Sequence, residues 1–153
     1  VSEDIRAALE TGAVASYTVD FPCDELLGVP GVVSVPHLGA STPESEDNCA
    51  SMAADELIAF LRTGAIRNSV NFPAADMPLS ADTRITIIHR NIPNMLSQIS
   101  AAIAQENLNI ENMLNKSRKE FAYTILDLSG EAVDRAVEDL RAISGVIRVR
   151  VIR

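Results

Sequence analysis

Two histidines occur in the 153 residues, His37 and His89, and both stand where chemistry could be done. His37 follows the apolar run Val32-Val33-Ser34-Val35-Pro36 and precedes Leu38-Gly39-Ala40-Ser41-Thr42-Pro43, between a short strand and a helix start. A histidine at the C-terminal end of a strand in an open parallel sheet lies where ligands bind. Imidazoles titrate near neutrality and so suit proton transfer. On residue type alone, the other reading is a histidine that caps or packs beside the helix. His89 closes a second apolar run and is followed by Arg90-Asn91-Ile92-Pro93-Asn94. A ring nitrogen, an amide that donates and accepts, and the free N–H groups of a helix start could together hold a carboxylate. The alternative there is strand-end and turn residues in a domain that only dimerises. Cys23 and Cys49 lack metal-ligand spacing and read as two reduced thiols of a cytoplasmic protein, with no metal site.

Composition narrows the partners. Hydrophobic residues make up 47% of the chain and charged residues 22%, a mix that builds a core. Aromatic residues are scarce, so that core is expected to be Ile, Val, Leu and Ala. A net charge of -8 would repel a phosphate backbone, so no nucleic-acid partner is expected. No apolar run approaches the ~20 residues of a membrane-spanning helix, and no signal-peptide pattern opens the chain. Val1-Ser2-Glu3-Asp4 leads straight into a helical pattern without an initiator Met, which suggests that the sequence starts inside a longer protein.

The elements that must position these residues follow from periodicity. Ser2 as N-cap, with Glu3 and Asp4 at the positive end of the dipole and Ile5, Ala8 and Leu9 on one face, predicts a helix stopped by Gly12. Val14–Val19 and Val32–Val35 read as strands, and their alternation with helices predicts a parallel sheet covered on both faces. Thr42 as N-cap and Pro43 at the first position start a helix running to about Arg62, with Ala50, Ala53, Leu57, Ile58 and Leu61 on its apolar face. Asn71–Ser80, with Pro73 and Pro78 and no period, reads as a linker, so a boundary falls near residue 80.

Beyond it the rhythm is strand (Arg84–His89), helix from Pro93 with Leu96, Ile99 and Ile103 inward, strand (Leu108–Lys116), strand (Phe121–Leu128), helix (Ala132–Ala142) and strand (Val146–Ile152). The turn Ser117–Glu120 predicts a hairpin. That β-α-β-β-α-β order is the ferredoxin-like arrangement, an antiparallel sheet with two helices on one face. Its other face and outer strands would need cover, which a homodimer supplies.

Three stretches carry a resemblance. Val35-Pro36-His37-Leu38-Gly39-Ala40-Ser41-Thr42-Pro43-Glu44-Ser45-Glu46-Asp47-Asn48 resembles the catalytic-histidine segment of D-isomer-specific 2-hydroxyacid dehydrogenases, and among them most closely that of the phosphoglycerate dehydrogenases. Leu9–Asp20 resembles the last strand-helix unit of that family's cofactor domain, and Asn68-Ser69-Val70-Asn71-Phe72-Pro73 its exit linker. Ile88–Leu96 resembles the ligand loop of ACT domains.

The resemblance implies an α/β plus α+β chain: the tail of a Rossmann-type NAD-binding domain over 1–42, a connecting helix and linker over 43–81, and a regulatory ACT domain over 82–153. It implies that His37 is the general acid/base for the substrate hydroxyl, partnered by Glu25, with Asp24 as rival because the loop departs from the family pattern. It sets Asp20 against the nicotinamide carboxamide of NAD and Gly39 and Ala40 beside that ring. It makes His89 and Asn91 effector ligands, with Asn109 reaching the ligand from a neighbouring subunit. L-serine is the effector it suggests, although Asn94 stands where the family usually has glycine. No G-x-G-x-x-G occurs in the sequence, so the chain by itself is expected to lack dehydrogenase activity. The competing reading is a stand-alone module for amino-acid sensing and oligomerisation.

Overall fold

The computed structural model describes the whole chain, Val1–Arg153, and divides it into two compact units, Val1–Ala50 and Ser51–Arg153. The expected linker therefore belongs with the second unit.

In the first unit, α1 (Ser2–Glu10) ends at Thr11, and Gly12 takes φ 73°, where glycine is unstrained. Ser2 is not the N-cap: Val1 holds that place, and the Ser2 hydroxyl instead lies 3.0 Å from Cys23 Sγ. β1 (Tyr17–Val19) and β2 (Val32–Ser34) pair in parallel, Tyr17 opposite Val32. β1 is shorter than expected because the Val14 amide folds back onto the Ala8 carbonyl instead of extending. The expected cover on both faces is not there either: the sheet has two strands, and Val33 and Val35 are exposed. α2 (Pro43–Thr63) starts as foreseen, with the Ser45 amide donating to Thr42 Oγ1 at 3.2 Å. Its apolar stripe does not pack, since Leu57, Ile58 and Leu61 stand exposed and no residue of the helix is buried.

The second unit contains β3 (Thr83–Arg90), α3 (Met95–Gln105), β4 (Asn109–Arg118), β5 (Phe121–Ser129), α4 (Val133–Ala142) and β6 (Val146–Ile152). Strand order is β4-β5-β3-β6 with every neighbour antiparallel, which is the ferredoxin-like topology. Strand alternation sends Ile85 and Ile87 of β3 and Leu126 and Leu128 of β5 toward α3 and α4. There they meet Ile99, Ile103, Val133, Val137 and Leu140, each buried side chain contributing about 1.5–3 kcal/mol. On α3, Met95 takes the inward position and Leu96 is exposed, because the 95/99/102/103 spacing centres the buried stripe one residue earlier than expected.

The other sheet face is covered by the chain itself. Ile66 and Ala75 exchange both backbone hydrogen bonds, at 2.7 and 3.0 Å, folding residues 64–79 back on themselves. Ile66, Phe72, Ala75 and Met77 then pack with Phe60 against Ile88, Leu114, Tyr123 and Ile125. The expected linker is thus a lid on the sheet, and the need for a second copy there falls away.

Candidate functional site

The strand-end site lies in the first unit. The parallel pairing of β1 and β2 brings both C-terminal ends to one edge of the sheet, so Asp20 follows β1 and His37 follows β2 at neighbouring places. His37 Nδ1–H donates to Asp20 Oδ2 at 2.6 Å, with both side chains about half exposed. The Phe21 ring lies 4.5 Å from the imidazole, tilted by 33°, and limits its rotation. A proton on Nδ1 leaves Nε2 as the basic nitrogen facing outward. Behind the histidine, Ser45 Oγ donates to the Gly39 carbonyl at 3.2 Å, tying the Gly39-Ala40 loop to the first turn of α2.

The partner of His37 is therefore Asp20, not Glu25. Asp20 is next to the strand end, whereas Asp24 and Glu25 have moved into a short 3-10 turn, Asp24–Leu26. They border a different hollow beside Arg6, Glu10 and Pro30. A hydrogen bond from Cys23, helped by its own backbone N–H, holds the Glu25 carboxyl below the usual carboxylate range. Asp20 Oδ1 remains for a carboxamide, but its other oxygen is taken by His37.

The second candidate site lies at the β3–α3 loop. Asn94 adopts φ 69°, ψ 4° immediately before α3. Asparagine tolerates that left-handed conformation better than other non-glycine side chains. The Asn94 side chain caps nothing, so the first N–H groups of α3 have no side-chain partner. The Asn91 amide Nδ2 donates to the Lys119 carbonyl at 3.1 Å and its backbone N–H to the Glu120 carbonyl at 2.8 Å, tying the loop to the β4–β5 turn.

His89 is buried, and both ring nitrogens are engaged: Nδ1–H donates to the Arg90 carbonyl at 2.8 Å, and Nε2 bonds Thr124 Oγ1 at 2.9 Å. Thr124 in turn bonds the Asn115 amide. His89 thus shapes the loop from beneath and presents no free nitrogen to a ligand in this chain. Asn109 is remote from both. It pairs with Ser129 at the end of the sheet where β3 begins, and its Nδ2 donates to Glu111 Oε1 at 2.9 Å. The structure brings His37 and Asp20 together, and His89 and Asn91 together, but not Asn109 with the latter.

A buried ion pair escaped sequence reasoning. The Arg84 guanidinium donates to Asp127 through Nε at 2.6 Å and Nη2 at 2.8 Å, with both side chains fully buried. Its remaining N–H groups reach the carbonyls of Thr63, Met77 and Pro78. Burial pushes the Asp127 carboxyl up, but the hydrogen bonds from Arg84 and Ser80 and the Arg84 charge overcome this and hold it below its ordinary value. Arg150 meanwhile bonds the Phe60 carbonyl at 2.8 Å and the Leu61 carbonyl, with Phe60 under its guanidinium. Two arginines thereby meet the negative end of α2. Alternation of Arg148 and Arg150 with apolar residues was the one visible signal.

The D-3-phosphoglycerate dehydrogenase of Escherichia coli K12 is 29% identical over 123 residues, 79% of this chain and 30% of that protein. That of Dictyostelium discoideum is 31% identical over 134 residues, 87% of this chain and 32% of that protein. D-3-phosphoglycerate dehydrogenase 1 of Saccharomyces cerevisiae is 31% identical over 138 residues, 84% of this chain and 29% of that protein. No family model matches the chain. Among solved structures, the ACT domain from GTP pyrophosphokinase of Chlorobium tepidum is 20% identical, covering 46% of this chain and 95% of that one, with a TM-score of 0.41. The chain spans about a third of the length of the curated relatives it matches. A match of 134 residues within 153 must include both His37 and Asn91, whichever end it leaves out. The chain is therefore a relative of the D-3-phosphoglycerate dehydrogenases and matches about a third of their length.

Proposed function

We propose that this chain acts as the C-terminal part of an NAD-dependent D-3-phosphoglycerate dehydrogenase, bringing the catalytic histidine of one domain and an amino-acid sensor in the next. The observation that carries the reading is the His37–Asp20 pair at the ends of two parallel strands, followed in the same chain by a complete βαββαβ sheet. In oxidation of a 2-hydroxy acid, Nε2 of His37 takes the hydroxyl proton while Asp20 fixes the tautomer through Nδ1. NAD, when bound, accepts the hydride. The residues here fit its nicotinamide end only: Asp20 Oδ1 and the Gly39-Ala40 backbone are available, and no glycine-rich turn for a pyrophosphate occurs in this sequence.

For the sensor, L-serine is the proposed effector, its carboxylate on the open N-terminus of α3 and Asn91 beside it. Asn109 would come from a second copy in a homodimer. No helix is long and apolar enough to cross a membrane, and the proposed place of work is the cytoplasm.

The sensor half is tested by isothermal titration with L-serine; saturable heat supports it, and none at millimolar ligand refutes it. The dehydrogenase half is tested in a full-length protein carrying this sequence. There His37→Gln should lower kcat by about 10²–10⁴-fold while leaving L-serine binding unchanged. A second reading, a module for sensing and oligomerisation alone, is favoured by the second unit's own completed core. NADH formation from 3-phosphoglycerate by the 153-residue chain would exclude it; the expected result for this chain alone is no turnover.

A further inference from the structure

On the sheet face away from α3 and α4 lies a cavity of about 820 Å³ that neither proposed site uses. Ile88 of β3, Phe121 of β5 and Phe72 of the covering segment give it an apolar lining. Arg118, Lys119 and Arg148 converge on it, with Glu120 as the one carboxylate among its lining residues. Nη1 of Arg118 donates to the Val70 carbonyl at 2.9 Å and also reaches the Ser69 carbonyl, which holds the covering segment in place and leaves Nε and Nη2 for another acceptor. The side chains of Lys119 and Arg148 make no hydrogen bond or ion pair.

The three cations stand together on a chain whose net charge is -8, with one carboxylate beside them. Three cations against one anion repel each other unless a ligand neutralises them. The volume is that of a small-molecule site, and such sites combine an apolar lining with a few polar groups that fix orientation. Guanidinium groups with free N–H forks select carboxylate and phosphate oxygens. We propose that this cavity binds a small organic anion with an apolar body. Its carboxylate or phosphate monoester lies between Arg118 and Arg148, and its body rests on Phe72, Ile88 and Phe121.

Phenyl phosphate is the probe, with inorganic phosphate and phenol as its two halves, titrated into the isotope-labelled 153-residue chain and followed by NMR. Phenyl phosphate should bind saturably and shift the resonances of Phe72, Ile88 and Phe121. Each half should bind at least about tenfold more weakly, as should the Arg148→Gln variant, which loses one charge-assisted contact. Lys119→Gln gives a second reading of the same effect should Arg148→Gln fail to fold. Absence of saturable binding at millimolar phenyl phosphate would overturn the proposal. So would unchanged affinity in both variants. Phenol matching the probe would reduce the site to an apolar groove, and inorganic phosphate matching it to a surface charge effect; either result also overturns it. The L-serine site proposed at the α3 N-terminus and Asn91 shares none of the residues that line this cavity, so its titration reports separately on the sensor reading.

Discussion

Removing the Arg84–Asp127 pair should not behave like removing an ordinary buried ion pair. A buried pair exchanged for well-packed apolar residues is often neutral in stability, because the lost attraction is offset by the desolvation no longer incurred. Here only two of the guanidinium's hydrogen bonds go to Asp127, while three go to the carbonyls of Thr63, Met77 and Pro78. An orphaned buried carbonyl costs about 1–3 kcal/mol; these three bonds are only part-buried and Pro78 is exposed, so water replaces some of them and Arg84→Met loses about 1–3 kcal/mol in total before Asp127 is considered. Asp127→Asn leaves the Arg84 charge buried and turns an N–H donor toward donors from Arg84 and Ser80, for about 3–5 kcal/mol. The double variant Arg84→Met/Asp127→Leu removes both charges yet still abandons the three carbonyls. It should therefore stay about 1–3 kcal/mol below the parent, against the roughly 5–15 kcal/mol a domain has. Urea unfolding followed by circular dichroism measures these differences, and hydrogen exchange shows whether residues 64–80 detach first. Parental stability of the double variant with unchanged exchange in that segment would show that the carbonyl contacts contribute nothing, and the reasoning would fail.

Other expectations are simpler. Because Asp127 has a lowered folded pKa, its contribution is present above the unfolded carboxylate value of about 3.9 and disappears as pH falls through the folded value; Asp127→Asn should flatten the acid limb of a pH–stability profile. Burial raises the Tyr123 phenol, whose hydroxyl donates to the Gly64 carbonyl at 2.7 Å. Its contribution is present below about pH 10 and fades as pH rises through the folded value, a loss Tyr123→Phe should remove from an alkaline melt. Gly64 has φ +72°, and an added Cβ would stand 2.5 Å from Thr86 Cγ2. Gly64→Ala should cost at least about 2 kcal/mol in chemical denaturation from backbone strain and overpacking together. At Asn94, substitution by Ala should cost about 1 kcal/mol and by Gly less, read from thermal melts, since the left-handed φ of 69° is what the position demands.

The ferredoxin-like half was legible because its signal is periodic. Alternation in β3 and β6 and the 3.6-residue spacing of Val133, Val137 and Leu140 each point to one face, and strand-end turn residues such as Gly145 set the limits. The segment 64–79 was misread as a linker because its apolar residues, Ile66, Phe72, Ala75 and Met77, follow no period; they are placed one by one by the shape of the sheet beneath. Arg84 was invisible for a related reason. In sequence it occupies an outward strand position, where arginine ordinarily reaches solvent, and only the fold-back of the segment just before β3 closes over it. His37 was found through resemblance, but its partner was not. Counting five residues on from Asp20 reaches Glu25, but the 3-10 turn carries Glu25 off while Asp20 stays at the strand end.

The ligand set assigned to the sensor imposes a geometric condition of its own. His89 pairs with Ala122 on β5 and Asn109 with Ser129, at opposite ends of that strand. At about 3.4 Å per residue, the two lie roughly 24 Å apart along the sheet, too far for one small amino acid to touch both. A site that uses Asn91 and Asn109 together can exist only where the β3–α3 loop of one copy meets the start of β4 of another. β4 is also an outer strand with unpaired backbone groups along one side. The edge that needs a partner and the residue that needs one are thus in the same strand. Sensing through both asparagines therefore requires assembly, whereas sensing through Asn91 and the α3 N-terminus alone would not.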